Sequence, residues 1–165
     1  MLDPTIEQAL NDQVAMEAQS SQFYLSMATW AETSGLDGTA SFLYRHSNEE
    51  REHMLKLIHF INERGGKARI PALTEPKSDF SGLGEIFNTL LEHEGKVTQS
   101  INNLVGLCLT QKDFTTHNFM QWYVAEQIEE EALARSILDK LRLIGEDTAG
   151  LYLFDRDLGQ LEPEA

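Results

Sequence analysis

The chain has 165 residues, 41% of them hydrophobic, and sets 27 acidic side chains against 13 basic ones for a net charge of −14. That length suits one domain, taken as 1–165, with a sizeable core. The charge argues against nucleic-acid phosphates and anionic membranes as partners and favours cations. One cysteine, Cys108, permits neither an internal disulfide nor a Cys-x-x-Cys site, which predicts a reducing, cytoplasmic setting. Met1-Leu2-Asp3-Pro4 lacks the basic and apolar regions of a signal peptide, and the longest apolar stretch, around 104–109, is too short to span a bilayer.

Residues 5–32 place Ile6, Leu10, Val14, Phe23, Met27 and Trp30 at helical spacing without an internal proline. Asp3-Pro4 starts that amphipathic helix and Ser34-Gly35 stops it. Asp37 or Thr39 can cap a second helix that runs to about Arg64, where Gly65-Gly66 ends it. Residues 66–81 contain Pro71 and Pro76 and few periodic apolar positions, so they form a long connection with no element of their own. Antiparallel neighbours need only a few linking residues, whereas about fifteen can cross the length of a bundle, which predicts parallel second and third helices. The third helix covers roughly 83–111 with Ser81 as its cap, and the fourth runs from near Asp113 to about Ile144, closed by Gly145. Asp147 to Asp157, with Leu151, Leu153 and Phe154, makes a short fifth helix. The expected fold is all-α: a four-helix bundle with a long crossover between helices two and three, plus a short C-terminal helix.

Glu50-Arg51-Glu52-His53 puts a carboxylate and an imidazole at i and i+3, hence on one helical face. Glu17, Glu94 and the pair Gln127/Glu130 lie near the middle of the other three long helices. Packing acids from four helices at one height without cations is costly, and bound metal removes the conflict. Bundles that hold two metal ions use this inventory, with single glutamates from two helices and Glu-x-x-His pairs from the others. Oxygen ligands with a single nitrogen suit iron, manganese or zinc. His46, one turn before Glu50, reads either as a group that orients a ligand or as a partly buried structural histidine, and taken singly each of the others has an ordinary reading: Glu50/His53 as a surface pair, Gln127 as an exposed helix former, Tyr24 as a core phenol. The match in height across four helices is what outweighs them.

Phe42-Leu43-Tyr44-Arg45-His46-Ser47-Asn48-Glu49-Glu50, Gln121-Trp122-Tyr123-Val124-Ala125-Glu126-Gln127 and Gly150-Leu151-Tyr152 resemble motifs of the bacterial non-haem ferritins, and the resemblance covers essentially the whole chain. It implies a ferritin-like bundle assembled into a hollow homo-oligomeric shell of twenty-four subunits, which oxidises Fe(II) with O2 or H2O2 and stores it as a ferric mineral. Glu17, Glu50 and His53 would bind the first iron, with Glu50 bridging, and Glu94 and Glu130 the second. Gln127 would stand alongside to hold dioxygen, a water or the metal. Tyr24 would be an electron donor beside the pair, with Trp122 nearby. A third iron position would map onto Glu49, Glu126 and Glu129. The spacing agrees, since Glu126 and Glu129 are one residue out of phase with Gln127 and Glu130 and should face an adjacent surface. Haem-binding relatives carry a methionine directly after the helix-two glutamate; Arg51 stands here, so no haem is expected. A diiron peroxidase or oxygenase would need an electron supply, and no Cys-x-x-Cys module is present. A metal-free structural bundle would take up no iron.

Overall fold

The computed structural model describes residues 2–161, and all regular structure among them is helical: α1 (Pro4–Thr33), α2 (Asp37–Glu63), α3 (Leu83–Thr110), α4 (Phe114–Ile144) and α5 (Thr148–Gly159). Met1 and residues 162–165, which the single domain expected over 1–165 includes, lie outside the described residues. Each expected helix is present, with ends within about two residues of the sequence reading. None of them is long and apolar enough to cross a membrane.

Paired side chains fix the helix directions. On α1 and α3, Gln13 meets Ser100 at 2.6 Å and Ser20 meets His93 at 2.6 Å, so rising numbers in one match falling numbers in the other. On α2 and α4, His46 faces Glu130 at 3.7 Å and Phe60 stacks on Phe119 at 3.8 Å, again antiparallel. A short turn at 34–36 reverses α1 into α2. The second and third helices are therefore parallel, as the length of the crossover predicts. Three polar side chains on one side of α1 carry that crossover. Asn11 bonds the main chain of Lys67 and Arg69, Gln19 both main-chain groups of Thr74, and Ser26 the carbonyl of Lys77. A segment without secondary structure thus finds its backbone partners along a helix.

The helix ends show which local signals won. Gly35 and Gly65 adopt left-handed φ of 76° and 77°, and the next residue's amide reaches back to Ala31 and Ile61 respectively. Lys112 holds the same conformation, φ 58°, at the end of α3. Two expected caps are not used. Leu36 takes the N-cap position of α2, which leaves Asp37 in the first turn and the amides of Gly38 and Thr39 open. Asp155 of α5 accepts both, at 3.0 and 2.7 Å, so the cap comes from the far end of the chain. A Cβ at Gly38 would run into the Asp155 carbonyl oxygen, so glycine is needed there for the approach. At α3, Gly82 occupies the N-cap position and Ser81 donates its amide and hydroxyl to Glu85, whose carboxylate reaches back. A carboxylate with two acceptor oxygens displaces the expected hydroxyl cap.

Burial divides the interior into three levels. One apolar cluster joins Tyr24, Met27, Leu43, Phe87, Leu138 and Phe154; the other joins Ile6, Val14, Leu57, Ile101 and Met120. Each such buried side chain contributes about 1.5–3 kcal/mol relative to exposure. Between the clusters, every long helix turns polar: Glu17 on α1, Glu50 and His53 on α2, Glu94 on α3, Gln127 and Glu130 on α4, all buried.

Candidate metal centre

One half of the polar layer is built by α1 and α2. Glu17, Glu50 and His53 each bring one ligand atom to within 4.8 Å of the others. His53 Nδ1 lies 3.6 Å from Glu50 Oε2, as the i,i+3 spacing requires. One turn before Glu17, Gln13 donates through Nε2 to Glu17 Oε1 at 2.8 Å, and its own Oε1 accepts from Ser100. Tyr123 donates its hydroxyl to the His53 carbonyl at 2.7 Å. The Trp122 ring stands edge-on to the His53 imidazole at 5.0 Å, with Lys56 Nζ 3.6 Å from its centroid. Ser21 and Ser47 exchange hydroxyl-to-carbonyl bonds beside this half and hold α1 close to α2.

The other half comes from α3 and α4. Glu94, with no exposed surface, is gripped from both sides: Tyr24 donates to Oε1 at 2.8 Å and Gln127 Nε2 to Oε2 at 3.1 Å. Each oxygen keeps a lone pair for a cation. Glu130 also borders α2. Its Oε2 lies 3.7 Å from His46 Nδ1, which in turn lies 3.6 Å from Glu49 Oε2, and these three residues form a second cluster with ligand atoms mutually within 4.8 Å. His46 Nδ1 is buried and has no hydrogen-bond partner among the described groups. Glu49, Glu126 and Glu129 all line a cleft of about 1210 Å³ between α2 and α4, which His53, Trp122 and Glu130 also border.

Burial dominates the electrostatics. It pushes Glu17, Glu50 and Glu94 above the usual carboxylate range and Glu130 up to about 9. For Glu17, Glu50 and Glu130 repulsion comes next, and Glu94 is the strongest repelling neighbour of both Glu50 and Glu130, so the two halves share one field. Hydrogen bonds from Gln127 and Tyr24 pull Glu94 partly back. Burial and then the Glu94 charge hold the Tyr24 phenol well above its ordinary value, so it stays protonated and donating. Burial and then the Arg45 charge bring His46 down to about 4, which keeps it neutral. Four buried carboxylates without a counter-charge either take up protons or repel one another, and a divalent cation relieves both.

Glu17, Glu50, His53, Glu94, Gln127 and Glu130 therefore share one buried layer, with Glu130 also against His46, while Glu49, Glu126 and Glu129 line the cleft. Sequence reasoning left His46 open between ligand orientation and structure, and passed over Gln13, Thr98 and the Tyr123 hydroxyl. Gln13, His46, Thr98 and Tyr123 share a signal, since each sits four positions from Glu17, Glu50, Glu94 or Gln127 on the same helical face.

A family model for the ferritin-like domain matches residues 7–144. Over 165 residues the chain is 47% identical to a probable bacterial non-heme ferritin-like protein of Haemophilus influenzae, covering 100% of both. It is 44% identical over 156 residues to the bacterial non-heme ferritin of Campylobacter jejuni, spanning 94% of this chain and 93% of that one. Among solved structures, an open-pore ferritin of the hyperthermophilic archaeon Archaeoglobus fulgidus superimposes with a TM-score of 0.96 at 41% identity, over 98% of this chain and 100% of that one.

Proposed function

The chain belongs to the ferritin family, and on that premise we propose that it oxidises Fe(II) in the buried polar layer and stores the Fe(III) as a mineral inside an oligomeric shell. Glu17, Glu50 and His53 take one Fe(II), and Glu94 and Glu130 a second, with Glu50 bridging and Gln127 beside the pair. Their shared burial and the mutual repulsion of Glu50, Glu94 and Glu130 support that division. Each Fe(II) yields one electron, so two adjacent ions match a two-electron acceptor. Dioxygen with two protons is thereby reduced to hydrogen peroxide, or hydrogen peroxide with two protons to two waters. The carboxylates favour Fe(III) over Fe(II), because the extra positive charge is worth more to hard anionic oxygens in a dry site. Tyr24, hydrogen-bonded to Glu94, is the candidate donor of a further electron.

Glu49, Glu126 and Glu129 form the third iron position. Their place on the α2–α4 cleft, one helical face away from the pair, gives iron a route out of the buried layer. The shell is a homo-oligomer of twenty-four copies of this single-domain chain, in the cytoplasm.

The reading rests on one observation: carboxylates from four helices, with the imidazoles of His46 and His53, occupy the interior between two apolar clusters, where bound cations relieve their burial and mutual repulsion. Aerobic Fe(II) addition to the assembled protein, followed by size analysis and electron microscopy, tests it. Electron-dense cores inside hollow particles are expected. Rapid oxidation by a small species without a core would replace storage with a soluble diiron enzyme.

A further inference from the structure

Gln127 is the one amide on the α3–α4 side of the layer, and an amide has two chemically opposite ends. Its oxygen can meet a cation or accept from a water; its nitrogen can only donate. Which end serves the centre decides whether Gln127 assists metal ions or the oxygen species they reduce. The hydrogen bonds around it settle the orientation.

Arg135 pairs through NH1 with Glu131 Oε2 at 2.8 Å, which keeps Glu131 a carboxylate and hence an acceptor only. Thr98 lies 2.7 Å from Glu131 Oε1, so its single hydroxyl proton must be donated there. The Thr98 oxygen is thereby left as an acceptor, and Gln127 Nε2 sits 3.3 Å from it. The other Nε2 proton is shared between Glu94 Oε2 at 3.1 Å and the Glu94 carbonyl at 3.3 Å. Every neighbour of Nε2 is an acceptor. Rotating the amide would set its oxygen against a carboxylate, a carbonyl and a hydroxyl with no proton to spare. Both N–H groups are spent on α3.

We propose that Arg135, Glu131 and Thr98 are a positioning relay that locks the Gln127 amide with its carbonyl oxygen as the only atom available to the centre. Gln127 then acts as an oxygen ligand, or as acceptor for a metal-bound water, and not as a hydrogen-bond donor to dioxygen or peroxide. The inference rests on the diiron reading above and assigns Thr98 and Glu131 a part in it. Both lie on a small groove of about 230 Å³ between α3 and α4, separate from the α2–α4 cleft.

Co(II) titrated into the full-length protein, followed by calorimetry and by its visible absorption, tests the relay without any redox step. The wild type is expected to bind two Co(II) per subunit, the second more weakly. Thr98→Val keeps the side-chain shape but removes both hydroxyl roles. It should weaken the second step by about tenfold, the size of an outer-shell effect, and leave the first step and the melting temperature nearly unchanged. Thr98→Ser should restore the second step. An unchanged second step in Thr98→Val, or an equal loss in both steps, would overturn the relay. Failure of the wild type to bind a second Co(II) would instead overturn the diiron reading.

Discussion

On the α1–α2 side of the buried layer, hydrogen bonds run inward: Ser100 donates to Gln13, and Gln13 donates to Glu17. On the α3–α4 side Tyr24 and Gln127 likewise donate to Glu94, but a second chain runs outward, from Gln127 to Thr98 and from Thr98 to Glu131. The inward chain delivers a donor to an anionic oxygen and so holds Glu17 in place without using up its second oxygen. The outward chain takes donors away from the centre. Ligand type follows the same division, with a histidine on one side and a glutamine where a symmetric bundle would repeat a carboxylate. Under the proposed function, the α1–α2 position binds iron firmly and the α3–α4 position binds it loosely. The turn of Glu130 toward His46 and Glu49 adds a direction, because it links the loose position to the cleft that carries Glu126 and Glu129.

The largest test removes the residue both positions share. Glu50→Gln preserves shape but deletes the bridging charge, and initial Fe(II) oxidation should fall by on the order of a hundredfold or more, beyond the range of outer-shell changes. The metal-free protein should melt no lower than the wild type, and higher near neutral pH, since one of several mutually repelling buried carboxylates is gone. Stopped-flow oxidation and calorimetry on the same samples check both halves of the statement. A retained oxidation rate would remove Glu50 from the centre.

Making the two sides alike is the next step down. Gln127→Glu together with Glu130→His gives α4 the Glu-x-x-His pair that α2 already has. The first two irons per subunit should then oxidise at a near-normal rate while later turnover slows several-fold, because iron is held where it should pass on. Repeated Fe(II) additions, each followed optically, report the change. Undiminished mineralisation would show that the asymmetry has no bearing on throughput.

A pH series separates the protein's own charge conflict from its metal chemistry. Burial raises Glu130 to about 9 and also lifts Glu17, Glu50 and Glu94, so between the usual carboxylate range and about 9 the folded state binds more protons than the unfolded chain. Stability of the metal-free form must therefore decrease as pH rises through that window, with the favourable contribution complete only below it. Melting temperatures measured between about pH 5 and about pH 8 should fall in the apoprotein, fall less in Glu130→Gln, and flatten when Zn(II) is bound. A flat apoprotein profile would mean that the layer is solvated or neutral for some other reason.

Much of this was legible in the chain itself. Period-3.6 apolar spacing and Gly35, Gly65 and Gly145 mark four long helices, and the length of 66–81 alone implies the parallel second and third helices. The six candidate ligands stand out because mid-helix carboxylates recur at one height. What stayed hidden depends on contacts between distant segments. Asp155 caps α2 from more than a hundred residues away, which no local signal reveals. Glu130 comes to lie 3.7 Å from His46 because of side-chain direction across a helix interface, not because of spacing along α4. The donor and acceptor polarity at Gln127 appears only when Arg135, Glu131 and Thr98 are seen in a row.

The smallest expected effect sharpens the comparison from the firm side. Gln13→Leu fills the same volume but removes the donor to Glu17 and leaves the Ser100 hydroxyl without its acceptor. Glu17 keeps its other neighbours, so the change should loosen the first Co(II) step by no more than about tenfold, with the second step unaffected. The Ser100 hydroxyl is only partly buried and can turn to water, so little stability is lost with its acceptor. The Thr98 and Gln13 variants then form a crossed pair, each weakening one step and sparing the other. Two calorimetric titrations suffice to see it. If both variants weaken the same step, the layer is a single site with shared ligands, and inward and outward hydrogen bonding would be a difference in packing without a difference in function.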